Sequence, residues 1–587
     1  MKDKTLNKAL NRTYPAFFLL VLSTSMNYFV DTFLAAIFIS TEAVAAVGIV
    51  MPIVCLFNAI AGIFVSGCSI HYSQVLGRGR HRRAQEVYTI GIQATAVVGV
   101  FFWLLCNMLA EPLVKVFGAS DADVIRQAAL YLRVVSFSIP TTAVSELVIR
   151  GLSMYGLNKA SISACSVRLF GNIGLSIMFV SALPYEMKII GLALGTIIAS
   201  VLGTLFAVFL KSQNRFGLSV IKYKPRFAEI KAMFMTGLST GLDYLASAVS
   251  GAVMNNLIGA SELGTSGIAV YAAVNSVFNL ALCPGQAMMM TGAPLYGMLF
   301  GAADKKALKR SFLLCLKNAL VYSLFFCLAL EIVLSLTSIS LVSGGAHVSK
   351  TAFYSGVRLS YLAVFPMVII YSFANLFELT DRTPDALAVE ILPDSVLMVL
   401  STAILLKLGY GMNSIWISYT LSALLFIIAY AIHTKIKYRQ LSLTRLMRLN
   451  KWSQNVEQDI NVSIQDRNSD IAKLTKTVHD FLNDGNASKK TAYMTALCMD
   501  ELASDIAAHT RHDSKSHNAI MDIKLLSLKD EFRIIIRNIE KPYNPLDFEL
   551  DKETFSKVGV TMAQKLASKI SYQYLYNMNI ITIYIQK

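Results

Sequence analysis

Residues 45–80, AAVGIVMPIVCLFNAIAGIFVSGCSIHYSQVLGRGR, have a counterpart in residues 269–304, AVYAAVNSVFNLALCPGQAMMMTGAPLYGMLFGAAD. Sliding the chain by 224 residues brings the two stretches into register, with Gly77 on Gly301 and basic residues after each. Each stretch is apolar and long enough to cross a bilayer, whose core of about 30 Å requires roughly 20 helical residues. The repeat therefore predicts a membrane protein built from two equivalent halves.

The composition also indicates a chain embedded in a membrane. Of the 587 residues, 55% are hydrophobic and 15% are charged, and the mean hydropathy is +0.54, whereas a soluble protein carries about 25% charged residues. Residues 451–587 contain equal numbers of acidic and basic side chains, so the net charge of +16 belongs to residues 1–450. The bases there separate hydrophobic runs and form no single basic face, which excludes nucleic acid as a partner and indicates the lipid bilayer.

Twelve apolar spans are predicted before residue 440, and each must be helical because its backbone groups are satisfied only within the span. Clusters of Lys and Arg precede the first span or follow even-numbered spans, so we expect a multi-pass protein of the cytoplasmic membrane with both termini cytoplasmic. The repeat offset contains six spans, which predicts two six-helix lobes of one orientation, residues 1–225 and 226–440, with substrate passing between them. The predicted limits are 15–38, 44–70, 86–109, 126–150, 160–182, 189–211, 232–257, 266–297, 311–337, 352–378, 385–407 and 412–434.

A linker at 441–457 leads to residues 458–587, which have the composition of a soluble domain. Residues 458–466, 519–538 and 576–586 alternate like strands, while 470–484 and 490–509 are amphipathic helices. The predicted fold class is thus an α-helical polytopic membrane protein, with twelve transmembrane helices in two six-helix repeats, plus a C-terminal α/β sandwich domain. The eight cysteines lie in apolar stretches without the spacing of zinc ligands, so we expect free thiols and no metal.

Polar residues inside the first span are the first candidates for function. Thr24, Asn27 and Asp31 follow an i, i+3, i+7 spacing and form one polar stripe on an apolar helix. A charge at this depth is costly and is usually functional, so the stripe is predicted to face a water-filled cavity. The alternative is a carboxylate that only anchors the helix near the membrane surface.

Residues 28–34 (YFVDTFL), 45–52 (AAVGIVMP) and 76–79 (LGRG) resemble the first two spans of multidrug and toxic compound extrusion (MATE) transporters, and the resemblance extends over residues 1–440. It implies that Asp31 takes part in proton or sodium coupling. The repeat mate of Asp31 is Asn255, which cannot ionise, so only the first lobe keeps this titratable group.

The same resemblance implies three more residues of the ion site. Asn172 and Thr196 match polar residues that line it in the family, and Ser176 stands where the family has an acid. Na⁺ binding favours several oxygen ligands, of which more than one can be charged, so a site with one carboxylate favours a proton. Sodium held by hydroxyl and carbonyl oxygens remains the alternative.

Glu390 and Asp394 are acids that the family pattern does not predict. They lie one turn apart in the eleventh span, hence on one helix face, and Pro393 between them should kink the helix and free a carbonyl. We expect a site for a proton or a cationic substrate in the second lobe. The alternative is an ion pair with a buried base such as Arg168.

The C-terminal domain resembles the ATPase domain of histidine kinases and anti-sigma-factor serine kinases, through residues 501–509 (ELASDIAAH), 538–543 (NIEKPY) and 557–559 (KVG). The first motif keeps its Glu as Glu501. The resemblance implies that Asp505 replaces the metal-binding Asn, Asn538 replaces the adenine-reading Asp, and the phosphate turn keeps Gly559 alone. Lys557 adds bulk where the backbone approaches phosphate, and Glu540 repels a polyanion. We therefore expect a degenerate nucleotide site that does not use ATP, in a domain retained for regulation by a protein or ligand.

Together these features predict a cation-coupled antiporter, not an enzyme, that exports amphipathic or cationic small molecules without a cofactor, with H⁺ favoured over Na⁺. A lipid-linked oligosaccharide flippase of the same superfamily is one alternative, which a cavity lined densely by Arg and Lys would favour. A membrane receptor that signals through its C-terminal domain is another, which the degenerate nucleotide motifs disfavour.

Overall fold

The computed structural model describes residues 4–586 except 40, 78–79, 118–121, 155–156, 213–219, 303, 337–349, 440–441, 448–455, 466–467, 486, 514–519, 540–541, 547–560, 562–563, 566 and 576–577. Up to residue 447, the regular elements of the described chain are helices. The helices are α1 Lys4–Phe38, α2 Thr41–Gly77, α3 His81–Met108, α4 Ala110–Val116, α5 Ala122–Val135, α6 Ser138–Met154, α7 Asn158–Ala182, α8 Lys188–Ser212, α9 Phe227–Gly259, α10 Gly264–Gly301, α11 Lys305–Leu336, α12 Lys350–Leu379, α13 Thr383–Ile391, α14 Met398–Lys407, α15 Asn413–Tyr438 and α16 Leu443–Leu446.

Each predicted span coincides with a described helix or pair of helices, and nine helical segments of the described chain are long and apolar enough to cross a membrane. Two spans are interrupted. The span predicted at 126–150 consists of α5 and α6, which meet at residues 136–137. The span predicted at 385–407 contains a π-helical turn, Leu392–Leu397, between α13 and α14. This turn holds Pro393, whose missing N–H disturbs the hydrogen-bond ladder as the sequence predicts.

The two halves of the helical region pack directly against each other through α2 and α9. Gly67 of α2 lies against the carbonyl oxygen of Met233, and Gly237 of α9 lies against that of Ile63. A Cβ atom at either glycine would collide with this backbone, so both positions require glycine for the close approach. The lobes are thus in contact where residues 63–67 of α2 meet residues 233–237 of α9.

The lobes also meet at what we call the basic end of the bundle, where α2 and α10 finish and α3 and α11 begin. The Gln74 side-chain amide donates hydrogen bonds to the Leu379 carbonyl at 3.1 Å and to the Asp381 carboxylate at 3.0 Å. Arg83 of α3 pairs with Glu229 of α9 at 2.6 Å. These contacts close the space between the lobes at this end.

The C-terminal region is a five-stranded antiparallel sheet in the order β1-β2-β3-β5-β4, and two helices cover one of its faces. The predicted strands and helices are all present, and β4 is an additional strand. The elements are β1 Val456–Gln465, α17 Asn468–Asp484, α18 Lys489–Asp513, β2 Ile520–Leu528, β3 Glu531–Asn538, β4 Lys569–Leu575 and β5 Met578–Gln586.

The two faces of this sheet are buried against different partners. Ile523, Ile534 and Ile583 belong to the core shared with α17 and α18. Leu526 and Ile580, on the other face, belong to the same apolar cluster as the membrane helices. The sheet is therefore enclosed between its own helices and the helical bundle.

Candidate functional site

A cavity of about 420 Å³ lies between the two lobes and is lined by four carboxylates of the second lobe. Asp243 comes from α9 and Glu378 from the end of α12. Glu390 comes from α13 and Asp394 from the π-helical turn. Four helical elements thus each contribute one acid to the wall of one cavity.

Two of these carboxylates are held by hydroxyl groups. Glu378 accepts hydrogen bonds from the Ser239 and Thr240 hydroxyls, each at 2.8 Å, and is 7% exposed. Asp394 accepts one from the Tyr371 hydroxyl at 2.9 Å. These hydroxyl groups orient the two carboxyl groups without forming an ion pair with them.

Glu390 differs because its Oε2 atom is buried and has no hydrogen-bond partner among the described residues. A buried polar atom without a partner costs about 1–3 kcal/mol, so such atoms usually indicate a missing ligand, a water molecule or a proton. Glu390 is therefore the acid of this cavity that is best placed to receive a substrate cation or a proton.

The rest of the cavity wall is mixed, with Met289 and Met290 beside polar side chains such as Asn279 and Gln286. Arg150 is the single base among its lining residues, and this guanidinium pairs with Glu146 one turn away on α6. Flexible, polarisable methionine side chains adapt to irregular apolar surfaces. An acidic, partly apolar cavity favours cations that also carry apolar groups.

A second cavity of about 290 Å³ adjoins the first, because Ser66, Arg150, Thr240 and Tyr244 line both. It lies largely within the first lobe, where Thr24, Arg168 and Thr196 contribute to its wall. Arg168 is 2% exposed and donates hydrogen bonds to the Ser23 hydroxyl at 3.0 Å and the Thr24 hydroxyl at 2.9 Å. In the described residues, Arg168 thus contacts α1 and forms no pair with Glu390 or Asp394.

Three of the residues implied for the ion site meet beside this second cavity. The Asn172 amide donates to the Thr196 hydroxyl at 3.0 Å, and the Ser176 hydroxyl donates to the Asn172 side-chain oxygen at 3.4 Å. All three side chains are buried. The side chains of Asn27 and Asp31 lie outside the described residues, so their part in this site stays a prediction.

Asn255, the repeat mate of Asp31, is an exposed residue of α9 and lines neither cavity. Conversely, sequence reasoning missed Asp243 and Glu378. Each is a carboxylate within an apolar span, at 232–257 and 352–378 respectively, and the rule that intramembrane charge indicates function would have identified both.

Two of the three motifs that resemble a nucleotide site in the C-terminal domain contact each other through Asp505, His509 and Tyr543. The Tyr543 hydroxyl donates to Asp505 at 2.6 Å, and the Tyr543 ring stacks on His509 with centroids 3.7 Å apart. Burial and the neighbouring Asp505 charge raise the pKa of Tyr543, so it remains a neutral donor. Asn538 is buried, Glu501 is exposed, and Glu540, Lys557 and Gly559 lie outside the described residues.

Apolar helices, two packed lobes and a polar cavity between them define the chain as a multi-pass membrane protein of transporter architecture. Comparison with solved structures identifies the fold as that of the MATE transporters. An outward-facing multidrug resistance MATE family transporter of the MOP superfamily aligns with a TM-score of 0.65 at 18% identity, over 72% of this chain and 94% of that one. A MOP superfamily transporter from Pyrococcus furiosus, whose binding pocket is described as having reverse polarity, aligns with a TM-score of 0.64 at 19% identity, over 74% and 97%.

Sequence comparisons agree with this fold. Residues 15–178 match the MatE family profile. The multidrug export protein MepA of Staphylococcus aureus is 20% identical over 235 residues, which are 39% of this chain and 51% of MepA. MepA of Staphylococcus saprophyticus is 21% identical over 217 residues, or 37% and 48%. The match therefore spans about half the length of these curated relatives.

Proposed function

We propose that this chain is a cation-coupled antiporter that exports amphipathic or cationic small molecules across the cytoplasmic membrane. Residues 1–225 and 226–440 are its two six-helix lobes, residues 441–457 a linker and residues 458–587 a cytoplasmic regulatory domain. The observation that carries the proposal is the cavity between the lobes, where four carboxylates face one base that is already paired with Glu146.

The charge of this cavity also separates the antiporter from the flippase alternative. A cavity lined densely by Arg and Lys would favour the flippase, whereas this cavity is lined by four carboxylates and one arginine. A positively charged amphipathic molecule would interact with the carboxylates through its charge and with the methionine side chains through its apolar groups. Transport of such cations is therefore the function that the lining residues support best.

We assign coupling to Asp31, with Asn172, Ser176 and Thr196 around it, and we favour a proton as the coupling ion. The contacts among Asn172, Ser176 and Thr196 support a common site. Each has a neutral side chain, so Asp31 would supply the site's negative charge. A single carboxylate that gains and loses a proton is sufficient for proton coupling, whereas sodium would need more oxygen ligands.

The C-terminal domain resembles a histidine-kinase-like ATPase domain that has lost its nucleotide chemistry, and we assign it a regulatory role. Tyr543 supports this assignment, because its hydroxyl group donates a hydrogen bond to the Asp505 carboxylate and its ring stacks on His509. A regulatory ligand or protein, rather than ATP, is the partner we propose for it.

The test is drug susceptibility of a host that lacks its own exporters, with and without this protein. We expect higher resistance to cationic amphipathic compounds and unchanged resistance to anionic ones. A double variant, Glu390→Gln with Asp394→Asn, should lose the resistance. The matched control is Glu331→Gln, because Glu331 pairs with Arg358 at 2.8 Å and lines neither cavity. Equal susceptibility of cells with and without the wild-type protein would contradict the proposal.

A further inference from the structure

The C-terminal sheet contacts the corresponding helix end in both lobes. The ends of α2 and α10 are equivalent in the internal repeat, where Gly77 overlays Gly301. Both helix ends lie at the basic end of the bundle. Strands of the C-terminal sheet contact Leu76, in the last turn of α2, and Ala302 and Asp304, which follow α10. One sheet therefore touches two repeat-related helix ends, one in each lobe.

The contact with the first lobe is made by β4. The Gln573 side-chain amide donates a hydrogen bond of 2.8 Å to the carbonyl oxygen of Leu76, at the end of α2. Gln573 is 7% exposed, so this polar side chain is buried against the end of α2. A buried amide that lost this acceptor would be left without part of its hydrogen bonding.

The contact with the second lobe is made by β2 and β3 and is ionic. Asp304, in the loop after α10, is fully buried and pairs with Arg537 at 2.9 Å and with Lys524 at 3.4 Å. Arg533 of β3 also donates to the Ala302 carbonyl at 3.5 Å. Two cations around one buried carboxylate form a contact that depends on every member, because removing one leaves another charge uncompensated.

The ion network continues outward from Asp304. Lys524 also binds Asp459 of β1, and Asp459 pairs with Lys306 of α11 at 2.8 Å. A chain of alternating bases and acids, from Lys306 through Asp459 and Lys524 to Asp304, therefore joins the sheet to the second lobe. The apolar face of the sheet, including Leu526 and Ile580, packs within the same cluster as the bundle. The Asp304 end of the network is buried, whereas Lys306 at its outer end is 54% exposed.

The two contacts are joined by the sheet itself. β3 pairs with β5 along its length, and β5 pairs with β4. Hydrogen-bonded neighbouring strands lie about 4.8 Å apart, so the distance from Arg537 to Gln573 is set by the sheet and cannot follow a separation of the lobes. Spreading the lobes at the basic end must break one of the two contacts.

We propose that the C-terminal domain is a clamp that holds the two lobes together at the basic end, so that the cavity opens toward this side only when the Gln573 contact or the Asp304 contact is released. The proposal rests on the proposed transport function, because it assumes that the lobes move against each other during transport. It gives the C-terminal domain a defined regulatory action that needs no nucleotide chemistry. A ligand or protein that loosened the domain would release the clamp.

The test measures the distance between the lobes by pulsed electron paramagnetic resonance on the full chain. Spin labels replace Arg82 of α3 and Lys435 of α15, both exposed near the basic end. The background is Cys55→Ser, because Cys55 is exposed and the other seven cysteines are buried. The variants are Gln573→Ala for the first contact and Asp304→Asn for the second. Lys473→Ala is the matched control, since Lys473 is 81% exposed on α17, which covers the other face of the sheet.

We expect one short distance in the wild type and in Lys473→Ala, and an added population at longer distance in each contact variant. Combining Gln573→Ala with Asp304→Asn should add little, because a clamp is open once either side is free. Asp304→Asn leaves the buried cations Arg537 and Lys524 without this carboxylate. The double variant Asp304→Asn with Arg537→Gln is therefore measured as well, because Lys524 then keeps Asp459 as its partner. The same added population at longer distance is expected.

A wild-type distance distribution in both contact variants would overturn the clamp, and so would equal broadening in Lys473→Ala. The measurement needs neither substrate nor an ion gradient. Its failure is therefore distinguishable from failure of the proposed transport function, which the susceptibility of cells carrying the wild-type protein tests separately.

Discussion

The Tyr543 hydroxyl donates a 2.6 Å hydrogen bond to the Asp505 carboxylate, at the position where the resemblance to ATPase domains implies a metal-binding amide. The acid that would face Mg²⁺ is thus already bound to a neutral donor of the same domain. This relationship leads to the first prediction, which concerns ATP binding.

Mg-ATP should bind the full chain no tighter than millimolar, which corresponds to about 4 kcal/mol of binding free energy. Displacing Tyr543 costs its bond to Asp505, and each unpaired polar group at such a site typically costs about 1–3 kcal/mol. Isothermal calorimetry on the purified chain is the measurement. Tyr543→Ala is a second variant, which removes the hydroxyl group that hydrogen-bonds Asp505. A micromolar dissociation constant for the wild type would revive the signalling alternative.

Asp31→Asn should abolish coupled transport while the protein stays folded in the membrane. A neutral amide is cheaper to bury in a membrane than a carboxylate, so the bundle should not be destabilised. The measurement is efflux from vesicles under an imposed gradient, with membrane-inserted protein quantified alongside. Efflux at the wild-type rate would disprove the coupling assignment.

Transport should follow the pH gradient and should not change when Na⁺ is replaced by K⁺. The reason is that Ser176, which hydrogen-bonds Asn172, supplies no second carboxylate. Proteoliposomes with independently set proton and sodium gradients provide the measurement. The converse variant, Ser176→Asp, should introduce sodium dependence; strict sodium dependence of the wild type would refute proton coupling.

Glu390→Gln and Asp394→Asn should each raise the KM for a cationic substrate by about 10- to 100-fold, since a hydrogen bond to a charged group contributes about 1.5–3 kcal/mol. Tyr371→Phe should have a smaller effect, because it removes only the hydroxyl that orients Asp394. Initial rates of uptake into inverted vesicles measure this. If Glu331→Gln raised the KM equally, the effect could not be assigned to the cavity.

Attachment of the C-terminal domain should be stable at neutral pH and weaken only in acid. Burial by itself would raise the pKa of Asp304, but the charges of Arg537 and Lys524 dominate and hold it below its usual value. A carboxyl with a lowered folded-state pKa stabilises the structure above its unfolded pKa of about 3.9, and this contribution is lost as pH falls through the folded value. Hydrogen exchange of β2 and β3 amides against pH should show the transition, and Asp304→Asn should lack it.

Local patterns were sufficient to predict most of the elements. Apolar runs of about 20 residues mark membrane helices because unsatisfied backbone groups are too costly in lipid, and each predicted span has a helical counterpart. The four-residue spacing of Glu390 and Asp394 placed them on one face, and both line the same cavity. Strand β4 was missed because Ser571 and Gln573, which are buried, are polar. The burial of Gln573 depends on Leu76, which lies 497 residues away in the chain.

By itself, the sequence determined the helical membrane class, the strands and helices of the C-terminal region except β4, and the presence of carboxylates within apolar spans, and it predicts the repeat of two lobes. These properties follow from hydropathy and periodicity, which are local. Only the tertiary structure decided that Asp243 and Glu378 join Glu390 and Asp394 around one cavity, that Arg168 contacts α1, and that the sheet contacts both lobes. Most of these contacts depend on packing between segments more than one hundred residues apart, as for Arg168 and Ser23 or Gln573 and Leu76. The free energy of such contacts is not encoded in any single stretch of chain.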